Sequence, residues 1–125
     1  MADDTSLIHT FETLRGILQR HGKRLIVTVD KPGDYQLASP RLVDRAGRPL
    51  FLAAAQVRKN YVSYHLIPVY TCPDLLDGLS ASLKKRMQGK ACFNFTTIEL
   101  AQATELSALT KTGFERMKTI KVPWQ

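Results

Sequence analysis

The residues best suited to chemistry in this 125-residue chain lie between Gln56 and Asn94. Arg58, His65 and Lys90 would offer two permanent cations and an imidazole. Gln56, Ser63 and Asn94 add neutral hydrogen-bonding groups, and Tyr61 adds an aromatic face. This set is built to hold an anion rather than to turn one over. His65 has no acidic residue near it in sequence to orient the ring as a base. The chain also lacks a Gly-rich phosphate loop, a Gly-x-Ser-x-Gly elbow and a His-Glu-x-x-His helix. Cys92 shares an alternation with Lys90, a neighbour that lowers a thiol's pKa, but a packed structural cysteine is the favoured reading. His9 falls near the start of a helical pattern and reads as a surface or staple residue. His21 falls near its end, a place that favours a partly charged imidazole, and reads as structural. The reading is therefore a binding protein, not an enzyme, with no cofactor and no metal site.

A hairpin must position these groups. Leu50 to Arg58 and Tyr61 to Ile67 are β-rich runs separated by the polar pair Lys59-Asn60, a two-residue loop signal. That loop sets Arg58 opposite Tyr61, Gln56 opposite Ser63, Ala55 opposite Tyr64 and Ala54 opposite His65. Side chains alternate across a strand, so Phe51, Ala53, Ala55, Val57, Val62, Tyr64 and Leu66 make a core face. Leu52, Ala54, Gln56, Arg58, Tyr61, Ser63, His65 and Ile67 make the other. Phe93 and Phe95 join the core face by composition, which leaves Lys90, Cys92 and Asn94 on the polar one. Small Ala54 among larger neighbours is expected to leave a shallow depression there. Antiparallel sheets often keep one wet face, and a one-residue slip would exchange the two.

The remaining elements follow from periodicity. Leu7, Phe11, Leu14, Leu18 and His21 recur at helical spacing behind cap candidates Asp4-Thr5-Ser6, and Gly22 closes the helix. Leu25 to Val29 is a β-branched strand, Lys31-Pro32-Gly33-Asp34 a turn, and Tyr35 to Val43 a second strand made irregular by Pro40. Pro73 to Leu76 is a short helical turn. Ser80 to Met87 is a short Ser-capped helix, and Ala91 to Phe95 is the last strand. From about Ala101, Leu106, Leu109, Gly113, Met117 and Ile120 fall on one stripe with Phe114 beside it. Val122-Pro123-Trp124-Gln125 cannot continue that helix. The fold class is α+β: one domain over 1–125, an antiparallel sheet of about five strands with N- and C-terminal helices packed on one face.

The run Tyr61-Val62-Ser63-Tyr64-His65-Leu66, then Leu83 to Lys90, and then Cys92-Phe93-Asn94-Phe95, resembles the YdhG-like family, also called domain of unknown function 1801. The likeness spans roughly residues 10 to 120, with the aromatic hairpin strand and the Gly89 to Phe95 run its most specific parts. It implies a compact α+β domain similar in outline to frataxin, and an iron-chaperone role described for some relatives. Carboxylates line the first helix of frataxin. Here they reduce to Asp3, Asp4 and Glu12 among Arg15, Arg20, Lys23 and Arg24, so iron is the weakest reading.

Composition bounds the rest. The net charge is +7, which favours an anionic partner. No apolar run approaches the roughly 20 residues that span a bilayer, so no membrane role is expected. Met1-Ala2-Asp3-Asp4 is too acidic for a signal peptide, and two cysteines make no disulfide framework, so the cytoplasm is expected. A small anionic ligand on the polar sheet face is the leading reading. Nucleic acid is the alternative, through Lys84, Lys85, Arg86, Lys90 and Tyr61. A homodimer is an admissible assembly.

Overall fold

A computed structural model describes residues 4–125. The chain order is α1 (Asp4–His21), β1 (Ile26–Lys31), β2 (Asp34–Val43), β3 (Pro49–Val57), β4 (Val62–Leu66), α2 (Ile67–Thr71), a 3-10 turn (Pro73–Leu76), α3 (Ala81–Lys84), β5 (Cys92–Phe95) and α4 (Leu100–Arg116). The five strands form one antiparallel sheet in the order β1-β2-β3-β4-β5. Helices α1 and α4 pack on each other and on the same face of the sheet, so the fold is α+β as expected.

Each helix buries the stripe its sequence carries. Leu7, Phe11, Leu14 and Leu18 of α1 are buried, as are Leu106, Leu109, Gly113 and Phe114 of α4. A capping box of Glu99 and Gln102 starts α4, satisfying N–H groups that the first helical turn leaves open. Gly22 ends α1 for a steric reason. Its N–H bonds the Leu18 carbonyl at 2.8 Å, and a Cβ there would sit 2.6 Å from Leu37 Cδ1 and 2.7 Å from Leu18 O. The tail after α4 folds back on β2: Trp124 Nε1 donates to Val43 O at 2.7 Å and Gln125 Nε2 to Arg41 O at 2.8 Å.

The central hairpin takes the expected register, with Ala54 opposite His65, Ala55 opposite Tyr64 and Gln56 opposite Ser63. Arg58 N donates to Tyr61 O at 2.7 Å and closes the Lys59-Asn60 loop. The face assignment holds from Ala53 to Val57 but reverses at the start of β3. Leu37 pairs with Ala53 and Ala38 with Phe51, so Leu52 is an extra residue, a β-bulge. A bulge shifts the side-chain alternation by one. Leu52, expected on the polar face, is 1% exposed and joins the core, while Phe51, expected inside, is 36% exposed on the other side.

Two further expectations are corrected. Ile67 does not extend β4 but opens α2, with Pro68 in its first turn. Proline lacks the N–H that a ladder needs and suits a helix start. Ser80 caps α3 by accepting from Leu83 N at 3.1 Å, but the helix stops at Lys84 rather than reaching Met87. Met87 instead forms a bridge to Phe93 of β5.

Candidate functional site

The open sheet face does gather the expected side chains. Cross-strand rows run Asp34–Gln56–Ser63–Asn94 and Gln36–Ala54–His65–Cys92 over β2 to β5. Gln56, Arg58, Ser63, His65 and Asn94 therefore share one side. Tyr61 stands at the hairpin tip, 36% exposed. Lys90 lies outside the strand, in the turn before β5, with Nζ 5.9 Å from the centre of the Tyr70 ring.

The sequence reading missed Asp34 on this face. Its Oδ1 accepts from Gln36 Nε2 at 3.0 Å and from Gln56 Nε2 at 3.2 Å, while Gln56 Oε1 accepts from Arg58 Nη2 at 2.6 Å. Gln56 thus relays between a carboxylate and a guanidinium, with both ends of its amide engaged. The expected depression at Ala54 is closed: Ala54 is fully buried. Its cross-strand partners Gln36 and His65 are larger, and the Phe51 ring lies edge-on to His65 at 6.4 Å. Burial, and then the Arg58 charge, hold the His65 imidazole below its ordinary pKa, so it is neutral at pH 7. Burial pushes the Cys92 thiol up, against a Tyr64 backbone hydrogen bond and Arg58. Its Sγ bonds Asn94 Oδ1 at 3.4 Å. A protonated thiol beside a neutral imidazole is not an activated nucleophile.

A second site was not foreseen. A cleft of about 430 Å³ opens where the C-terminal ends of α1 and α4 meet the start of β1 and the irregular stretch of β2. Leu25, Pro40, Leu52, Phe114 and Met117 supply its apolar surface, and Lys23, Arg24 and Lys118 stand exposed around it. The volume lies within the range of small-molecule sites, which are concave, mostly apolar and fixed by a few polar groups. Ser39 shapes one wall, its Oγ accepting from Arg41 N at 3.1 Å and Leu42 N at 2.8 Å. Arg41 Nη2 is committed to the Met117 and Ile120 carbonyls. His21 pairs with Ser107 at 2.7 Å, and burial, with Arg20 and Lys111 next, lowers its pKa. The Ser107 bond gives His21 the structural place its sequence position suggested, and burial works against the charged form that the helix end favours.

No carboxylate lines this cleft, and Lys23, Arg24 and Lys118 have no ion-pair partner among the described residues. The two helix C-termini contribute roughly half a negative charge each. Against the four formal cations Lys23, Arg24, Arg41 and Lys118, the mouth remains positive. Comparison with protein-family models, curated proteins and solved structures returned no match. The cleft is concave, whereas on the sheet face Ala54 and Ser63 are buried beneath their neighbours.

For the iron reading, the Asp3 and Asp4 carboxylates fall outside the described residues. Glu12 is bound to Arg15 at 3.2 Å. Among the described residues no group of three or more His, Cys, Asp or Glu side chains is placed to share a metal ion. No helix among them is long and apolar enough to cross a membrane.

Proposed function

We propose that this chain is a binding module for a small amphipathic anion, seated in the cleft between the ends of α1 and α4. The observation that carries the reading is an apolar-floored cleft that, among the described residues, has no acid in its lining and is rimmed by cations without ion-pair partners. A carboxylate or phosphate head would meet Lys23, Arg24 and Lys118, while an alkyl or aryl body would cover Leu25, Leu52 and Phe114. The YdhG-like resemblance enters this reading as a kinship of fold, and the iron role is left aside.

The test is thermal unfolding with matched pairs of medium-chain alkyl or aryl carboxylates and the corresponding alcohols. A ligand that binds only the folded chain raises Tm by mass action, about 2.7 kcal/mol of stabilisation at a hundredfold excess over Kd. The carboxylates are expected to raise Tm above their alcohols, and salt is expected to shrink that difference. Lys118→Glu, at an exposed position, is expected to remove it. Equal shifts from acids and alcohols, or none from either, would contradict the proposal.

A second reading seats the anion on the sheet face, supported by the rows that set Gln56, Arg58, Ser63, His65 and Asn94 on one side. Its signature is a carboxylate effect that disappears in Arg58→Ala and persists in Lys118→Glu.

A further inference from the structure

The turn before β5 extends the open face. Asn94 N donates to Arg86 O at 2.7 Å and Gln88 N donates to Cys92 O at 2.8 Å, with Met87 bridged to Phe93 between them. The segment from Arg86 to Gln88 thus runs antiparallel beside β5 as a short added rung. Phe93 is fully buried and Met87 packs against the core cluster. By alternation Arg86 and Gln88 fall on the opposite side, next to Asn94 and Cys92. Both are exposed.

That side is cationic and aromatic together. Arg58 stands at the hairpin end and Arg86 along the added edge; Lys90 keeps the parity of Cys92 and Asn94, and its Nζ lies over the exposed Tyr70 ring of α2. Among the strand residues of this side the carboxylate is Asp34, which is tied to Gln36 and Gln56 and has Lys31 as its cross-strand partner. Three rings reach solvent: Phe51 and Tyr61 at 36% and Tyr70 at 58%. From Tyr61 to the end of β4 the strand advances roughly 17 Å at about 3.3 Å per residue. Ala54 and Ser63 are buried beneath their neighbours, so the surface is filled rather than pitted.

We infer that this face docks single-stranded nucleic acid, with backbone phosphates at Arg58, Arg86 and Lys90 and bases stacked on Tyr61 and Tyr70. A flat, extended surface suits a chain-like ligand, and only a nucleic acid uses both the cations and the exposed rings. An acidic polypeptide would use the cations alone. A duplex would hide its base faces from the tyrosines. The inference is independent of the cleft, whose rim lies at the ends of α1 and α4.

Fluorescence anisotropy with a labelled oligothymidylate is the test, competed by duplex DNA and by polyglutamate. Single strands are expected to bind at low salt, with a log–log salt slope near −2 for three phosphate contacts at about −0.7 each. Arg86→Ala is expected to reduce that slope by about 0.7. Tyr61→Ala with Tyr70→Ala is expected to weaken binding about tenfold or more and leave the slope unchanged, since stacking carries no counterion term. Tyr→Phe at both positions should restore affinity. Lys118→Glu should leave binding intact. Equal competition by polyglutamate together with no effect of the double Tyr→Ala variant would make the face an acidic-protein surface and overturn the inference. Absence of binding at low salt, or a duplex bound as tightly as a single strand, would overturn it too. The variants sit at exposed positions, and circular dichroism of each confirms that lost binding is not lost folding.

Discussion

Phe95→Ala is expected to lower the unfolding free energy by about 3–5 kcal/mol, the usual cost of deleting a buried aromatic side chain and leaving a cavity. Phe95 is fully buried in β5, and its register partner Val62 in β4 is fully buried as well. The ring belongs to the cluster that joins Leu7, Phe11 and Leu14 of α1 to Leu106 of α4. β5 is only four residues long and follows the one long excursion between neighbouring strands. Asn94 N donating to Arg86 O at 2.7 Å and Thr10 Oγ1 donating to Thr96 O at 3.1 Å also hold its end, so collapse around the cavity would disturb the last rung of the sheet. Urea unfolding of the variant measures the loss. A value below about 1 kcal/mol would mean that the helices do not close over Phe95 as described.

The fold was legible wherever sequence alternation had polar residues to set its phase. From Gln56 through Asn60 to Ser63 the polar positions fix both the loop and the pairing, and the structure repeats them. The phase was lost in Leu50-Phe51-Leu52-Ala53-Ala54-Ala55, which is apolar at every position and shows no period of two. The bulge lies within that run. It turns Phe51 out beside His65 and Leu52 inward to the cleft, so one unreadable residue shapes both candidate surfaces. Asp34 could not be placed on the polar face without the β2–β3 register. That register passes through an irregularity between Ala38 and Val43 and a loop held by Asp44, whose Oδ1 accepts from Ala46 N at 2.9 Å and Arg48 N at 3.0 Å. The cleft left no local signal, because its residues come from four separated stretches, near 21–25, 39–41, 52 and 114–118. Only the docking of α4 beside α1 assembles them. α2 was equally hidden, since five residues carry no helical period and only Pro68 marks its start.

Tyr64 should make the fold sensitive to alkali. Its ring is fully buried, and its hydroxyl lies 2.6 Å from Thr110 Oγ1. Thr110 gives its own proton to the Leu106 carbonyl at 2.8 Å, so Tyr64 is the donor of the pair. Ionisation would remove that donor and place a phenolate in an apolar core. Burial accordingly raises the Tyr64 pKa well above the ordinary value, and the Thr110 hydrogen bond offsets only part of the rise. Because the folded-state pKa is the higher one, the stabilisation is fully present below the unfolded-state pKa of about 10. It is lost as pH rises from there towards the folded-state value, since the unfolded chain releases the proton first. The expected loss is about 1.4 kcal/mol per pH unit above 10, or roughly 2–3 kcal/mol by pH 12. Tyr64→Phe is expected to be less stable than the parent at pH 7, where it loses a buried hydrogen bond worth about 1 kcal/mol. At pH 12 it is expected to be the more stable of the two, because it has no phenol to ionise. Lysines and exposed tyrosines titrate in both proteins and cancel in the comparison. Urea midpoints measured for both between pH 7 and pH 12 give the result directly, and curves that stay parallel across that range would show that Tyr64 is not sealed in the core.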